Sequence, residues 1–96
     1  MTTPKQLTDY TTKQLKDMTL GEIATIIKKN WKETAKNGVY FGAVPYLDAM
    51  YSLGSTKDNY GADSGKSIVT YFLCNASTWK GPVAKEIKAH LNKCIK

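Results

Sequence analysis

The chain of 96 residues contains no arginine: all fourteen of its cationic side chains are Lys, set against eight acids, for a formal net charge of +6. Arginine offers a planar fork of donors to guanine edges, carboxylates and phosphates, whereas lysine is a hydrated point charge. Base-specific readout through arginine is therefore excluded, while tracking of a nucleic-acid backbone by lysine stays open, because attraction to phosphate is non-directional. Histidine is limited to His90 and cysteine to Cys74 and Cys94. A tetrahedral zinc site needs four N or S ligands, usually arriving in closely spaced pairs, so structural zinc is excluded and no cofactor is expected. Both cysteines lie in apolar stretches, Phe72-Leu73-Cys74 and Cys94-Ile95. That placement suits small buried hydrophobes in a reducing compartment better than a disulfide. Long hydrophobic runs are missing too. Thr2 to Asp17 is polar and Thr-rich, with no signal-like block. The longest apolar run, inside Ile68 to Cys74, falls far below the ~20 residues that cross a bilayer. The expectation is a soluble cytoplasmic protein with no membrane partner, for which the glycosylation pattern Asn75-Ala76-Ser77 has no meaning.

What is present is the composition of a folded globule: 42% apolar residues and ten aromatics, six of them Tyr. Wholesale disorder is excluded, and a chain of this length sustains one core. Thr3-Pro4-Lys5-Gln6 offers a cap and a Pro at a first helical position, but Leu7, Tyr10, Leu15 and Met18 give little to bury. Residues 1–18 read as a loosely attached arm or short helix. From Thr19-Leu20-Gly21-Glu22, a capping box, Leu20, Ile23, Ala24, Ile27 and Trp31 recur at helical spacing with Lys28, Lys29 and Lys32 opposite, and Asn37-Gly38 is suited to the helix end. Val39 to Val44 reads as extended or irregular. Pro45 opens a second helix with Tyr46, Leu47, Met50 and Leu53 on one face and Gly54 at its end, and Ser55 to Gly61 reads as loop. Asp63 or Ser64 caps a third element through Ile68, Val69, Tyr71, Phe72 and Cys74; its β-branched start suits a strand as well, and length favours a helix, apolar on nearly every side and therefore central. Pro82 starts a last helix, with Val83, Ala84, Ile87, Leu91, Cys94 and Ile95 inward and Lys85, Lys88, Asn92 and Lys96 outward. The expected fold is all-α, a bundle of about four helices in a single domain over residues 19–96.

Gly61-Ala62-Asp63-Ser64-Gly65-Lys66-Ser67 echoes a phosphate loop. That motif needs four residues between its first Gly and the Gly-Lys pair, and here there are three; a buried strand to precede it is also lacking. The stretch reads as a helix start capped by Ser64, where free N–H groups and Lys66 leave a residual capacity for an anion. His90 stands four residues after Glu86, the spacing of an exposed pair on a helix surface. Ser64, Ser67 and Cys74 have no nearby His, and Asp48, Asp58 and Asp63 form no poised pair. No catalytic residue is identified and an enzyme is not expected.

Two binding surfaces are legible. Residues 64–96 hold six lysines against Glu86 alone, a local charge of +5. Lys66, Lys80, Lys85 and Lys88 with Trp79, and Tyr60 in the adjoining turn, would suit phosphate tracking and base stacking; a solvated face with its rings buried is the alternative. Tyr40 and Phe41, after Val39, with Tyr46, Tyr51 and Tyr60, in or beside connections, would suit anchoring of a protein partner, Tyr40, Phe41, Tyr46 and Tyr60 foremost, or else close the ends of a short bundle.

Leu20 to Trp31, Pro45-Tyr46-Leu47-Asp48-Ala49-Met50, Tyr60 to Val69, Phe72-Leu73-Cys74-Asn75-Ala76 and Trp79-Lys80-Gly81 together resemble, over residues 20–95, small uncharacterised proteins encoded by tailed bacteriophages. The stretch Lys32 to Gly38 is longer than that pattern. The resemblance implies a phage origin and action in the cytoplasm of an infected bacterium, and it supplies no activity or functional residue. It fits a small protein that occupies a host macromolecule: a host protein first, DNA or RNA bound without sequence preference as the alternative, and a minor virion or assembly component as a further one. Oligomeric state is not legible.

Overall fold

The computed structural model describes residues 5–96. Single 3-10 turns at Leu7–Asp9 and Leu15–Asp17 precede α1 (Leu20–Thr34); a third, Phe41–Ala43, runs directly into α2 (Val44–Tyr51). Two-residue strands β1 (Asn59–Tyr60) and β2 (Asp63–Ser64) lead into α3 (Gly65–Cys74), and α4 (Pro82–Cys94) closes the chain.

The expected capping box starts α1: the Glu22 N–H donates to Thr19 Oγ1 at 3.1 Å, and Glu22 Oε1 accepts from the Thr19 N–H at 3.1 Å. The remaining N–H groups of its first turn reach α2's end, Leu20 to the Gly54 carbonyl at 3.1 Å and Gly21 to that of Leu53 at 3.0 Å. A Cβ on Gly21 would lie 2.5 Å from the Tyr51 carbonyl oxygen, so this close approach requires glycine. It also sets the positive end of α1 against the carbonyl end of α2. The helix stops at Thr34, short of Asn37-Gly38, where Ala35 turns extended; the Thr34 hydroxyl donates back to the Asn30 carbonyl at 2.9 Å. Gly38 does adopt a left-handed conformation, φ 72°, but in the turn beyond the helix.

The segment expected to be extended or irregular, Val39 to Val44, is irregular at Val39 and Tyr40 and then contains the turn that adds a helical lead to α2. The expected loop Ser55 to Gly61 contains β1, which pairs antiparallel with β2 in the register Asn59 to Ser64 and Tyr60 to Asp63 around Gly61 at φ 60°. The molecule is thus mostly helical with a small hairpin rather than purely α. Residues 65–74 are helix, capped by Ser64. Burial of α3 is one-sided: Ile68, Val69 and Phe72 are inside, Tyr71 and Cys74 outside. The expectations of an all-round buried helix and of two buried cysteines are corrected accordingly. Cys74 is exposed, Cys94 is half-buried, and both thiols are free.

At the centre Trp31 stacks on Trp79, centroids 5.9 Å apart and 18° between planes, with Phe72 6.4 and 6.3 Å from the two. The one buried polar side chain among the described residues, Asn30, joins this cluster to the surface. Its Oδ1 accepts from Trp79 Nε1 at 2.9 Å and its Nδ2 donates to the Tyr10 hydroxyl at 3.0 Å. Tyr10 in turn donates to Glu33 Oε1 at 2.8 Å, while Lys5 Nζ meets Glu33 Oε2 at 3.1 Å. Leu7 is buried in the same core. Residues 5–18 are therefore fastened to α1 and packed against α4 rather than loosely attached. The expected cap at Thr3 and Pro4 lies outside the described residues.

Candidate docking face

The lysine-rich surface is only partly assembled. Trp79 is fully buried and its indole N–H is committed to Asn30, so it offers no face to a base. Lys88, half-buried on α4, donates to the carbonyls of Ala76 at 2.7 Å and Trp79 at 2.6 Å, and its ammonium lies 5.7 Å from the Trp79 ring centre. Burial first, then Lys80, push its pKa down. It holds the α3–α4 connection in place rather than waiting for a ligand. Lys80 and Lys85 are exposed at the rim of a shallow hollow over Gly81 and Ala84, to which Lys66, on α3, contributes nothing.

The N–H groups expected to be free for an anion at Gly61 to Ser67 are taken within the fold, which leaves only the exposed Lys66 side chain there. Gly65 N–H donates to the Asp58 carbonyl at 2.6 Å, Lys66 N–H to that of Thr56 at 3.0 Å, and Ser67 N–H to Ser64 Oγ at 3.1 Å. The loop packs so closely that a Cβ on Gly65 would fall 2.7 Å from the Ser55 carbonyl oxygen.

His90 does not meet Glu86. Its Nε2 lies 3.5 Å from Cys94 Sγ instead. Burial and then Lys93 lower the His90 pKa, and burial raises that of the Cys94 thiol. Both shifts favour neutral partners, the opposite of a thiolate–imidazolium nucleophile. No group of three metal-capable side chains occurs among the described residues.

The aromatic candidates separate. Tyr46 is half-buried with its ring 5.7 Å from that of Tyr71, and Tyr60 is 47% exposed on the hairpin. Tyr40 and Phe41 lie together, centroids 4.9 Å apart, with Tyr40 folded over Gly42. Phe41 begins a stripe that sequence reasoning did not assemble. Because the 3-10 turn continues into α2, Phe41, Val44, Asp48 and Tyr51 fall on the outer face opposite the buried Leu47 and Met50. Alongside runs the outer stripe of α1, Thr25, Lys28, Lys29 and Lys32, at spacings of three, one and three. Between the stripes lies a groove of about 400 Å³, walled by those four residues on one side and by Val39, Val44 and Tyr51 on the other. Lys28 bridges it, Nζ 2.7 Å from Asp48 Oδ1 and 5.8 Å from the Tyr51 ring centre. The signal that could have found Val44 and joined it to Phe41 and Tyr51 is the helical spacing 41-44-48-51, which becomes visible once the helix is started before Pro45.

No helix of the described residues is long and apolar enough to cross a membrane. No family model, curated protein or solved structure matches the chain.

Proposed function

We propose that this is a non-enzymatic accessory protein of phage type that acts in the bacterial host cytoplasm by binding a host protein and altering its activity. The observation that supports this reading is the exposure of Phe41 (79%), Tyr51 (60%) and Val44 (37%) on a single face. Burying one such side chain contributes about 1.5–3 kcal/mol, and exposed rings gathered beside a groove are the anchors from which protein interfaces are built. The test is affinity capture from bacterial lysate, with and without nuclease, using the native chain and a Phe41→Ser/Tyr51→Ser variant. Recovery of a discrete protein that survives nuclease and is lost with the variant is expected. Recovery that nuclease abolishes, or that the double substitution leaves unchanged, would overturn the reading.

A second reading, Lys-dependent binding of nucleic acid, draws on the exposed pair Lys80 and Lys85 beside the start of α4, which has no side-chain cap. It predicts nuclease-sensitive recovery that Lys80→Glu/Lys85→Glu eliminates.

A further inference from the structure

We propose that the groove between α1 and α2 receives an acidic amphipathic helix of the partner, its apolar stripe against Val44 and Tyr51 and its carboxylates against Lys29 and Lys32. This inference rests on the docking reading above and adds to it the chemistry of the partner segment. The two walls differ in kind: α2 and Val39 supply aliphatic and aromatic surface, α1 supplies cations. A helix laid in such a groove would carry apolar residues at i, i+3 or i+4 and i+7 with Asp or Glu along one flank. Charge settles which side faces which. Lys28 is already neutralised by Asp48, whereas Lys29 and Lys32 have no carboxylate within salt-bridge distance among the described residues.

Other occupants fit less well. A single-stranded nucleic acid stacks successive bases on successive rings. Tyr51 is the one ring among the residues that line the groove, whose remaining apolar wall is the aliphatic Val39 and Val44. A second copy of this chain, related by a two-fold axis through the groove, would bring Lys29 and Lys32 against their own equivalents.

The test is an NMR titration of the intact ¹⁵N-labelled chain with three synthetic helical peptides of about 15 residues. One carries a Leu stripe flanked by Glu, one the same stripe flanked by Lys, and one Glu flanks with Ser replacing Leu; a thymidine oligonucleotide serves as a fourth probe. The first peptide is expected to shift the amides of Thr25, Lys29, Lys32, Val44 and Tyr51 and to bind at least about tenfold more tightly than the other two. In Lys29→Glu/Lys32→Glu, a surface double variant expected to fold, the preference between the first two peptides should invert. Equal binding of the Lys-flanked peptide to the native chain would overturn the acidic partner and leave the apolar docking face standing. Shifts elsewhere, no shift with any peptide, or tighter binding of the oligonucleotide at these residues would overturn the groove assignment. The docking reading itself is decided separately, by the capture experiment with Phe41→Ser/Tyr51→Ser.

Discussion

The two tryptophans, stacked on one another and equally buried, differ in what their indole nitrogens meet. Trp79 donates to Asn30, whereas Trp31 Nε1 has no hydrogen-bond partner among the described residues. Replacing either by Phe removes similar ring area, but Trp79→Phe also strands the buried Asn30 oxygen, while Trp31→Phe removes a donor that was already unsatisfied. Leaving a buried polar group without a partner costs about 1–3 kcal/mol, so Trp79→Phe should be the more destabilising by about that margin in urea titrations. Equal losses would mean that the Asn30 bond carries no net stability. His90 gives a residue-scale effect of pH. Its folded-state pKa lies below the ordinary 6.5 because burial and Lys93 disfavour the cation. The unfolded chain therefore takes up a proton first. The neutral-histidine contribution is fully present above 6.5 and is lost as pH falls through the folded value. Stability of the native chain should decline across that window, and His90→Gln should remove this part of the decline; parallel pH profiles for the two proteins would show that His90 is not its source.

At the scale of elements, the junction of α1 with α2 sets two principles against each other. Alanine favours a helix over glycine by about 1 kcal/mol, so propensity alone would have Gly21→Ala stabilise α1. The added Cβ would lie 2.5 Å from the Tyr51 carbonyl, a backbone atom that cannot swing aside. Forcing the helices apart costs about 1–3 kcal/mol, and contact should therefore win. Gly21→Ala is expected to lower the denaturation midpoint, and a raised midpoint would show that the junction has slack. This contact was not legible in sequence, where Gly21 appeared only as part of a capping box. The periodic elements were legible: the Thr19 box, the stripe from Leu20 to Trp31, Ser64 as a cap and Pro82 as a first helical residue all follow from local chemistry. Long-range pairing was not. Leu7 and Tyr10 looked too sparse to hold residues 5–18, because the core facing Leu7 and the Asn30–Glu33 partners of Tyr10 lie more than ten residues away. The donors of α3 looked free because nothing local announces that the loop at Ser55–Asp58 folds back over them. The candidate face failed in sequence for a related reason: Tyr40, Phe41 and Tyr51 are legible as rings in or beside connections, but Val44 and the α1 lysines meet them only through helix packing.

Across the whole molecule, a formal charge of +6 makes attraction to phosphate the rival of any specific docking, and ionic strength separates the two. If Lys66, Lys80 and Lys85, the exposed cations of the second half that were expected to bind phosphate, each neutralised one phosphate of a duplex, affinity would fall with a logarithmic slope near −2.7. That is a loss of about fortyfold between ~50 and ~200 mM salt. Docking in the α1–α2 groove draws chiefly on apolar burial, which salt at these levels leaves intact. Pairs of Lys29 and Lys32 with partner carboxylates at an exposed rim would be worth about 0.2–1 kcal/mol each, only part of which is screened. The affinity for the captured partner should therefore fall by less than about fivefold over the same range. Substituting Phe41 and Tyr51 by Ser should weaken it at every salt concentration while shifting folding stability by no more than about 0.5 kcal/mol per site, since both side chains face solvent. Binding isotherms at the two ionic strengths, paired with urea melts of the double variant, read both quantities. A fortyfold salt effect that Phe41→Ser/Tyr51→Ser does not alter would transfer the function to the lysines of the second half of the chain.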